Sequence, residues 1–373
     1  MGIYERLGVR PVINAAAAQT IIGGSLMSEP VLAAVHEAAQ SFVSLTEFHD
    51  RVGERIAEIT HNEAAAVTCG AAAGILVAAG ACIVRDDVDR VTELPDLSGF
   101  RQTEFISWES QRNGFLMSVR ETGATLVEIG QGEEDLEAAI GDRTAGIIWF
   151  AGTPFAGGAL PLADVIRLGR NHAVPVIVDA ADQVPPVTNL WKFTRDMGAD
   201  LAIFSGGKGL GGPQSSGLVL GRADLVRSCR ANGGPYQSIG RPAKVGKEEL
   251  AGLLAAVEAA VTKDEAAESQ RFSDVVDSWQ RAFSDLPGMT TERVAESHIG
   301  QPIPRLVLRS NNASALTRDE IIARLWDQSP RIAVLPFEED AIALNPHLLS
   351  DGDAERVVSG IFEAAGAGLD RPL

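Results

Sequence analysis

The chain has 373 residues, of which 45% are hydrophobic and 22% charged, and 32 Lys and Arg against 50 Asp and Glu give a net charge of −18. This composition excludes a disordered, collagenous or coiled-coil chain. The charge disfavours nucleic acid and anionic membranes as partners, because both bind basic surfaces. The length allows about two domains with a sizeable core.

The three cysteines form no C-x-x-C pair, which suits neither a disulfide framework nor a zinc site. The six histidines show no metal-ligand spacing, so no metal is expected. The N-terminus has no apolar stretch after a basic region and therefore predicts no signal peptide. Together these features indicate a reduced, cytoplasmic protein.

The first part of the chain predicts two helices and a buried segment. Ser28 and Pro30 mark the start of a helix that runs to about Phe42, and apolar spacing predicts an amphipathic helix over 51–61. Residues 64–84 carry no charge and are long enough to span a membrane. Their high Ala and Gly content instead predicts a buried strand, a turn and a helix.

The middle of the chain alternates short apolar runs with helical patterns. The apolar runs lie at 64–68, 125–130, 145–150, 174–180, 200–205 and 217–221, and helical patterns include 133–140 and 162–172. This alternation predicts an α/β domain around a mostly parallel sheet.

The pattern changes after residue 246. A long helix is predicted over 247–286, followed by strands near 305–308 and 332–336 and a final helix over 353–365. We therefore predict three parts: an N-terminal segment at 1–45 that packs with the small domain or a partner subunit, a large α/β domain at 46–255, and a small α+β domain at 256–373.

The loop around Lys208 carries the most specific chemical signal. Gly207, Gly209 and Gly212 match G-x-G-x-x-G, but a dinucleotide fingerprint opens a helix, whereas here a second strand follows at once. The phosphate-loop motif also fails, because Lys208 is followed by Gly209. A lysine on a tight turn after a strand can instead form a Schiff base with pyridoxal phosphate, with the glycines giving space for the flat cofactor.

Such a cofactor requires further groups, and the sequence offers candidates for each. A carboxylate must face the pyridine nitrogen, and Asp179 ends the most apolar strand, where parallel sheets bind ligands. The cofactor phosphate needs N–H groups at a helix N-terminus, which the small-residue turn at 68–74 predicts. Ser205 is a candidate for an additional hydroxyl contact.

Several segments resemble the selenocysteine-synthase-like group of fold-type I pyridoxal-phosphate enzymes. FSGGKGLGGPQ and VIVDAADQVPP carry the resemblance to the group, and YERLGVRPVINAA, TCGAAAG, QRNGF and GRPAKVGKEE are similar to its D-glucosaminate-6-phosphate ammonia-lyase-like branch. The resemblance implies a mostly parallel seven-stranded sheet in a large domain, a smaller α+β C-terminal domain, and a homodimer or larger assembly. The cofactor-binding residues that we expect are Lys208, Asp179, Ser205, Cys69, Gly70, Ala71, Gln111 and Gly212.

Three departures from the branch leave the substrate open. Gln111 stands where His often precedes Arg-Asn, Cys69 stands where Ser is usual, and the opening loop reads NAAAAQT rather than NAAGT. Arginine gives a bidentate fork for carboxylates, although each arginine here also suits a surface position. The candidates for substrate binding are Arg10, Arg112, Asn113, Arg241 and Arg331.

The resemblance implies a lyase that acts on an amino acid or amino-sugar acid. Lys208 would remove the α-proton, Asp179 would keep the ring electron-poor, and β-elimination would release ammonia and a keto acid. The alternatives are transamination, racemisation, β-replacement, or a non-catalytic binding protein that keeps the fold. The charge and the lack of a basic appended domain disfavour transfer onto seryl-tRNA.

Overall fold

The computed structural model describes residues 2–311 and 316–366. Internal contacts divide the chain into two units. The larger unit is Ser25–Lys263, and the smaller unit consists of the described residues of Met1–Gly24 and Asp264–Leu373.

The strands and helices follow in chain order. The strands are β1 (Val12–Ala15), β2 (Ala64–Thr68), β3 (Glu104–Trp108), β4 (Thr125–Ile129), β5 (Thr144–Phe150), β6 (Val176–Asp179), β7 (Leu201–Ser205), β8 (Gly217–Gly221), β9 (Met289–Val294), β10 (Arg305–Ser310), β11 (Arg331–Phe337) and β12 (Ala341–Leu344). The α-helices are α1 (Ile3–Arg6), α2 (Glu29–Ala39), α3 (Leu45–Ile59), α4 (Ala71–Val84), α5 (Met117–Arg120), α6 (Glu133–Ala139), α7 (Thr153–Ala156), α8 (Leu162–Asn171), α9 (Asn189–Trp191), α10 (Ala223–Asn232), α11 (Lys247–Thr262), α12 (Glu265–Ala282), α13 (Arg318–Asp327) and α14 (Asp353–Ala365). Short 3₁₀ turns lie at Thr20–Ile22, Val88–Thr92, Glu109–Gln111, Gly114–Leu116 and Arg241–Ala243, and a π-helical turn lies at Lys192–Asp196.

The larger unit is built on a sheet with helices on both faces. In its described residues the sheet has seven strands in the order β2-β8-β7-β6-β5-β3-β4, and only β8 runs antiparallel to its neighbours. Successive β7 residues belong to two different hydrophobic cores. Ala202 and Phe204 pack in the core that includes α3, α8 and α11. Leu201 and Ile203 pack in the core that includes α4 and α10. Burial on both faces explains why these strands read as continuous apolar runs.

The structure confirms several sequence predictions and corrects one. The uncharged segment forms β2 and α4, as expected, and among the described residues no helix has the length and apolar composition of a membrane span. The single helix predicted over 247–286 is wrong. The chain forms α11 and α12 because Asp264 begins a new helix, where its carboxylate accepts hydrogen bonds from the N–H groups of Ala266 and Ala267.

The smaller unit has its own sheet and core. Its described strands form a five-stranded sheet in the order β1-β11-β12-β10-β9, in which β1 pairs parallel with β11 and the other pairs are antiparallel. Trp279 of α12 and Ile361 of α14 are fully buried in this core. Within the N-terminal 45 residues, β1 thus belongs to the smaller unit, whereas α2 packs on α11 of the larger unit.

Candidate active site

The predicted residues of the larger unit meet at the carboxyl edge of its sheet. Thr68 at the end of β2 and Ser205 at the end of β7 both pair with Gly217, the first residue of β8. Asp179, the last residue of β6, pairs with Ile203 of β7. The turn after β2, the Asp179 carboxyl group and the Lys208 loop therefore lie along one edge, which is where such sheets bind ligands.

Lys208 is half-buried and contacts a residue that the sequence analysis did not single out. Its Nζ donates a hydrogen bond to Oδ2 of Asp182 at 3.2 Å, and the two side chains are 24% and 16% exposed. Asp182 follows Asp179 by three residues in the loop after β6. Because β6 and β7 are neighbours in the sheet, the loops after them meet, so the contact between Asp182 and Lys208 depends on this strand pairing and not on a local sequence signal.

Asp179 is a buried carboxyl group. Its Oδ1 accepts a hydrogen bond from the N–H of Ala181 at 2.9 Å, and the residue is only 6% exposed. Burial raises the pKa of Asp179 to about 6, against the opposing effects of the Ala181 hydrogen bond and the nearby Lys208 charge. At neutral pH this carboxylate is therefore mostly charged in a poorly hydrated place.

The glycines around Lys208 were expected to give space for a cofactor, whereas the structure shows that they allow close packing within the protein. A Cβ at Gly209 would lie 1.8 Å from the carbonyl oxygen of Val184, so the loop packs against the chain's own backbone. The N–H of Gly212 donates to the carbonyl of Gly206 at 2.8 Å, so that donor is used inside the loop. The expected contact of Gly212 with a cofactor stays a prediction.

The turn after β2 offers hydrogen-bond donors to an anion. Gly70 precedes α4 with φ of 109°, no side chain caps this helix, and its first turn holds no acidic residue. The first N–H groups of a helix lack partners within it, so the N–H groups that begin at Ala71 can bind a phosphate. Ser205 is half-buried, and its hydroxyl has no hydrogen-bond partner among the described residues.

Cys69 lies in the same turn and is half-buried. Burial, with a smaller effect of the Glu249 charge, raises the pKa of its thiol. The thiol thus stays protonated at neutral pH, which is typical of a lining residue and not of a nucleophile.

Gln111 is fully buried and pairs with main chain. Its Nε2 donates to the carbonyl of Phe150 at 3.1 Å, and its Oε1 accepts from the N–H of Phe150 at 2.9 Å. These bonds join the turn after β3 to the end of β5. Asn113 donates to the carbonyl of Gln111 at 2.8 Å and accepts from Phe115, so it shapes the same turn. Contact of Gln111 with a cofactor and of Asn113 with a substrate stay predictions.

The two arginines that were predicted in the larger unit differ in their contacts. Arg112 forms two hydrogen bonds with Glu128, at 2.8 and 2.9 Å. Arg241 begins an exposed 3₁₀ turn and forms no ion pair among the described residues. Arg112 must therefore leave its partner before it can bind an anion, whereas Arg241 is already accessible.

The other two predicted arginines belong to the smaller unit. Arg10 donates to the carbonyls of Asp327 and Gln328 at 2.5 and 3.1 Å. Arg331 donates to the carbonyl of Trp326 at 3.2 Å and lies 4.7 Å from the centre of its ring. Their roles in substrate binding stay predictions.

The residues at the carboxyl edge fit pyridoxal phosphate. They supply an amine on Lys208 and a buried carboxylate on Asp179. Within the described part of the chain, they also supply a hydroxyl without a partner on Ser205 and an uncapped helix start at Ala71. Among the described residues no group of three or more His, Cys, Asp or Glu side chains suits a metal ion. The donor set thus suits an organic cofactor that carries an aldehyde and a phosphate.

Comparison with known proteins identifies the family. The family model of SelA, L-seryl-tRNA selenium transferase, matches residues 12–275. The chain belongs to the SelA family. This membership confirms the resemblance seen in the sequence.

Two curated relatives of this SelA-family chain span nearly its whole length. It is 34% identical over 374 residues to a 5'-C-glycyluridine monooxygenase-decarboxylase of Streptomyces sp, covering 96% of this chain and 91% of the relative. It is 27% identical over 383 residues to a D-glucosaminate-6-phosphate ammonia lyase of Salmonella typhimurium, covering 99% of each.

A solved structure supports the same assignment. The structure of D-glucosaminate-6-phosphate ammonia-lyase matches with a TM-score of 0.85 and 27% identity, over 98% of each chain. The expected fold-type I architecture is therefore confirmed.

Proposed function

We propose that this chain is a pyridoxal-phosphate-dependent lyase that acts on an amino acid or amino-sugar acid. It would remove the α-proton, eliminate a group from the β-carbon and release ammonia. The observation that supports this most is the half-buried Lys208 at the carboxyl edge, which pairs with Asp182 and whose charge partly opposes the rise that burial causes in the pKa of Asp179.

Each part of the cofactor has a proposed partner in the larger unit. Lys208 would bind the aldehyde carbon and Asp179 would face the ring nitrogen. Ser205 and the N–H groups of the turn at 69–71 would hold the phosphate, because an uncapped helix start favours an anion. When bound, pyridoxal phosphate supplies an electron sink for the charge left on the α-carbon.

The chain's own groups have distinct tasks in this proposal. Asp179 carries a negative charge in a poorly hydrated place, so it favours a proton on the basic nitrogen that faces it. Lys208, when its amine is free, is the base that takes the α-proton. Asp182, which accepts a hydrogen bond from Nζ of Lys208 at 3.2 Å, orients this amine and can accept its proton.

Substrate binding is proposed for groups outside this centre. A carboxylate or phosphate on the substrate would be held by arginine side chains, because guanidinium groups bind both in a bidentate manner. We propose Arg10, Arg112, Arg241 and Arg331 for this role, together with the side-chain amide of Asn113.

A second candidate function is oxidative decarboxylation of a glycine-like amine. It is favoured by the higher identity to the monooxygenase-decarboxylase, 34% against 27% for the ammonia lyase. Both reactions break a bond at the carbon that carries the amine, so the same lysine and carboxylate could support either.

A product analysis separates these functions. The cofactor-loaded protein is incubated with β-hydroxy amino acids, amino-sugar acids and nucleosides that carry a glycine group, with and without oxygen. A lyase releases ammonia and a keto acid equally in both atmospheres, whereas an oxygenase consumes oxygen and releases carbon dioxide only in air. Full cofactor loading without turnover of any compound would contradict both and support the non-catalytic alternative.

We also propose a homodimer or larger assembly in the cytoplasm. In the larger unit, Leu26, Phe42 and Val43 leave more than half of their surface exposed, and apolar groups of this kind are typical of protein interfaces. The free state of all three cysteines supports a reducing compartment. Light scattering of the purified protein gives the number of subunits, and a monomer at all concentrations would contradict the assembly.

A further inference from the structure

A cavity in the larger unit lies at the opposite edge of the sheet from Lys208. Its volume is about 600 Å³, and its lining includes Val174 and Asp200, which precede β6 and β7. We call it the basal cavity. Arginine side chains dominate its charged lining, which consists of Arg85, Arg170, Arg195, Arg222, Glu63 and Asp200.

Two of these arginines are already paired with acids. Arg222 forms hydrogen bonds with Asp224 at 2.8 and 2.6 Å and with Asp200 at 2.5 Å. Arg195 donates to Asp196 at 2.7 Å. Their charges are therefore largely compensated without a ligand.

Among the residues that the structure describes, the other two arginines have no acidic partner. Among the described residues, the guanidinium groups of Arg85 and Arg170 form neither an ion pair nor a hydrogen bond, and Nε of Arg85 is buried. Arg170 packs against Gly198, where a Cβ would lie 2.4 Å from its Nη2. A buried guanidinium N–H without an acceptor costs free energy, which an anion in the cavity would recover.

The backbone at Arg85 is an independent indication. Arg85 follows α4 with φ of 53° and ψ of −123°, a conformation that glycine adopts easily and that strains any residue with a Cβ. Strained residues with unsatisfied polar groups are typical of binding sites. The chain thus carries a charged side chain where the backbone favours glycine, and this side chain lines a cavity.

We propose that the basal cavity binds a small organic phosphate through Arg85 and Arg170. Guanidinium groups form bidentate, charge-assisted hydrogen bonds with phosphate oxygens. The volume is in the range of about 300–1,000 Å³ that is usual for small-molecule sites. The net charge of −18 repels anions from the surface as a whole, so binding depends on these local unpaired cations.

The test uses the cofactor-loaded protein, so that the phosphate-binding turn at 69–71 is already filled. Inorganic pyrophosphate is titrated at constant ionic strength, by calorimetry and by melting temperature. The wild type is expected to show saturable binding and a rise in melting temperature. Arg170→Gln is expected to weaken binding by at least about tenfold, which corresponds to about one lost charge-assisted hydrogen bond.

Two further variants separate binding from folding. Arg167→Gln, one turn earlier on α8, removes an arginine that pairs with Glu133 and Asp164 and does not line the cavity, so binding should be unchanged. Arg85→Gly should raise the melting temperature without ligand, because it relieves backbone strain, and should abolish the rise caused by pyrophosphate. Absence of saturable binding in the wild type, or equal binding by the wild type, Arg170→Gln and Arg85→Gly, would overturn the proposal.

Discussion

Replacing Asp179 with asparagine should change how stability depends on pH. The folded protein raises the pKa of this carboxyl group from 3.8 to about 6, chiefly by burial. A raised acid pKa means that the folded state binds the proton more tightly than the unfolded chain. The stability that this tighter proton binding gives to the folded protein is therefore complete below about pH 4, and it is lost as the pH rises through about 6.

The size of this effect follows from the shift. A difference of about 2 pKa units corresponds to about 3 kcal/mol at 1.36 kcal/mol per unit. About 1.4 kcal/mol of that total falls between about pH 5 and about pH 8. Asp179→Asn cannot ionise at this position. The difference in free energy of unfolding between this variant and the wild type should therefore shift by about 1.4 kcal/mol in favour of the variant from about pH 5 to about pH 8.

The assay is urea unfolding of the cofactor-free proteins across this pH range. Asp142→Asn is the matched control, because Asp142 is exposed and pairs with Arg101 on the surface. We expect the control to follow the wild type. Stability curves of Asp179→Asn and the wild type that stay parallel from pH 5 to pH 8 would refute the argument that burial makes this carboxylate costly.

Three further substitutions test the geometry of the site. Asp182→Asn should leave cofactor content unchanged and lower kcat by about 100-fold, because Lys208 loses its proton acceptor. Steady-state kinetics measure kcat, and absorbance measures the cofactor content. Gln111→Ala should lower the free energy of unfolding by about 1–3 kcal/mol, because the buried amide groups of Phe150 lose their partner; urea unfolding measures this. Gly209→Ala should cost about 1–3 kcal/mol and weaken cofactor binding, because the Cβ has no space; unfolding and absorbance titration measure both.

Each of these substitutions has a contradicting result, and Gly209→Ala also has a matched control. Equal losses of cofactor and kcat in Asp182→Asn would indicate a purely structural carboxylate. A Gln111→Ala variant of unchanged stability that binds no cofactor would indicate direct contact with the cofactor. Gly141→Ala is the control for Gly209→Ala, because a Cβ at Gly141 meets nothing within 4 Å, and its free energy of unfolding should be close to that of the wild type. A Gly209→Ala variant that is equally stable would contradict the packing argument.

The sequence predicted the elements whose signals are local. The strand before Lys208 and the strand that ends at Asp179 are buried on both faces, so their apolar runs could be read directly. Lys208 and Asp179 could be placed at the same edge of the sheet, because the carboxyl ends of parallel strands lie at one edge. These features are also the ones that carried the family resemblance.

The rest depends on contacts between distant segments. The pairing of Lys208 with Asp182 needs the neighbour relation of β6 and β7, which no local pattern contains. The glycine at 209 suggested space for a ligand, whereas its reason is the carbonyl of Val184, a residue in the loop after another strand. The break between α11 and α12 is an exception, because its cause is local: Asp264 caps α12 through the next residues of the chain, but the helical pattern continues on both sides of it and therefore predicts a single helix.

Lys208 is the amine that we propose to hold the cofactor. Borohydride reduction of the cofactor-loaded protein, followed by peptide mapping, tests it most directly. We expect a reduced pyridoxyl-phosphate group on the peptide that contains Lys208, and loss of the label in Lys208→Ala. Label on Lys192, Lys244, Lys247 or Lys263, or persistent label in Lys208→Ala, would contradict it.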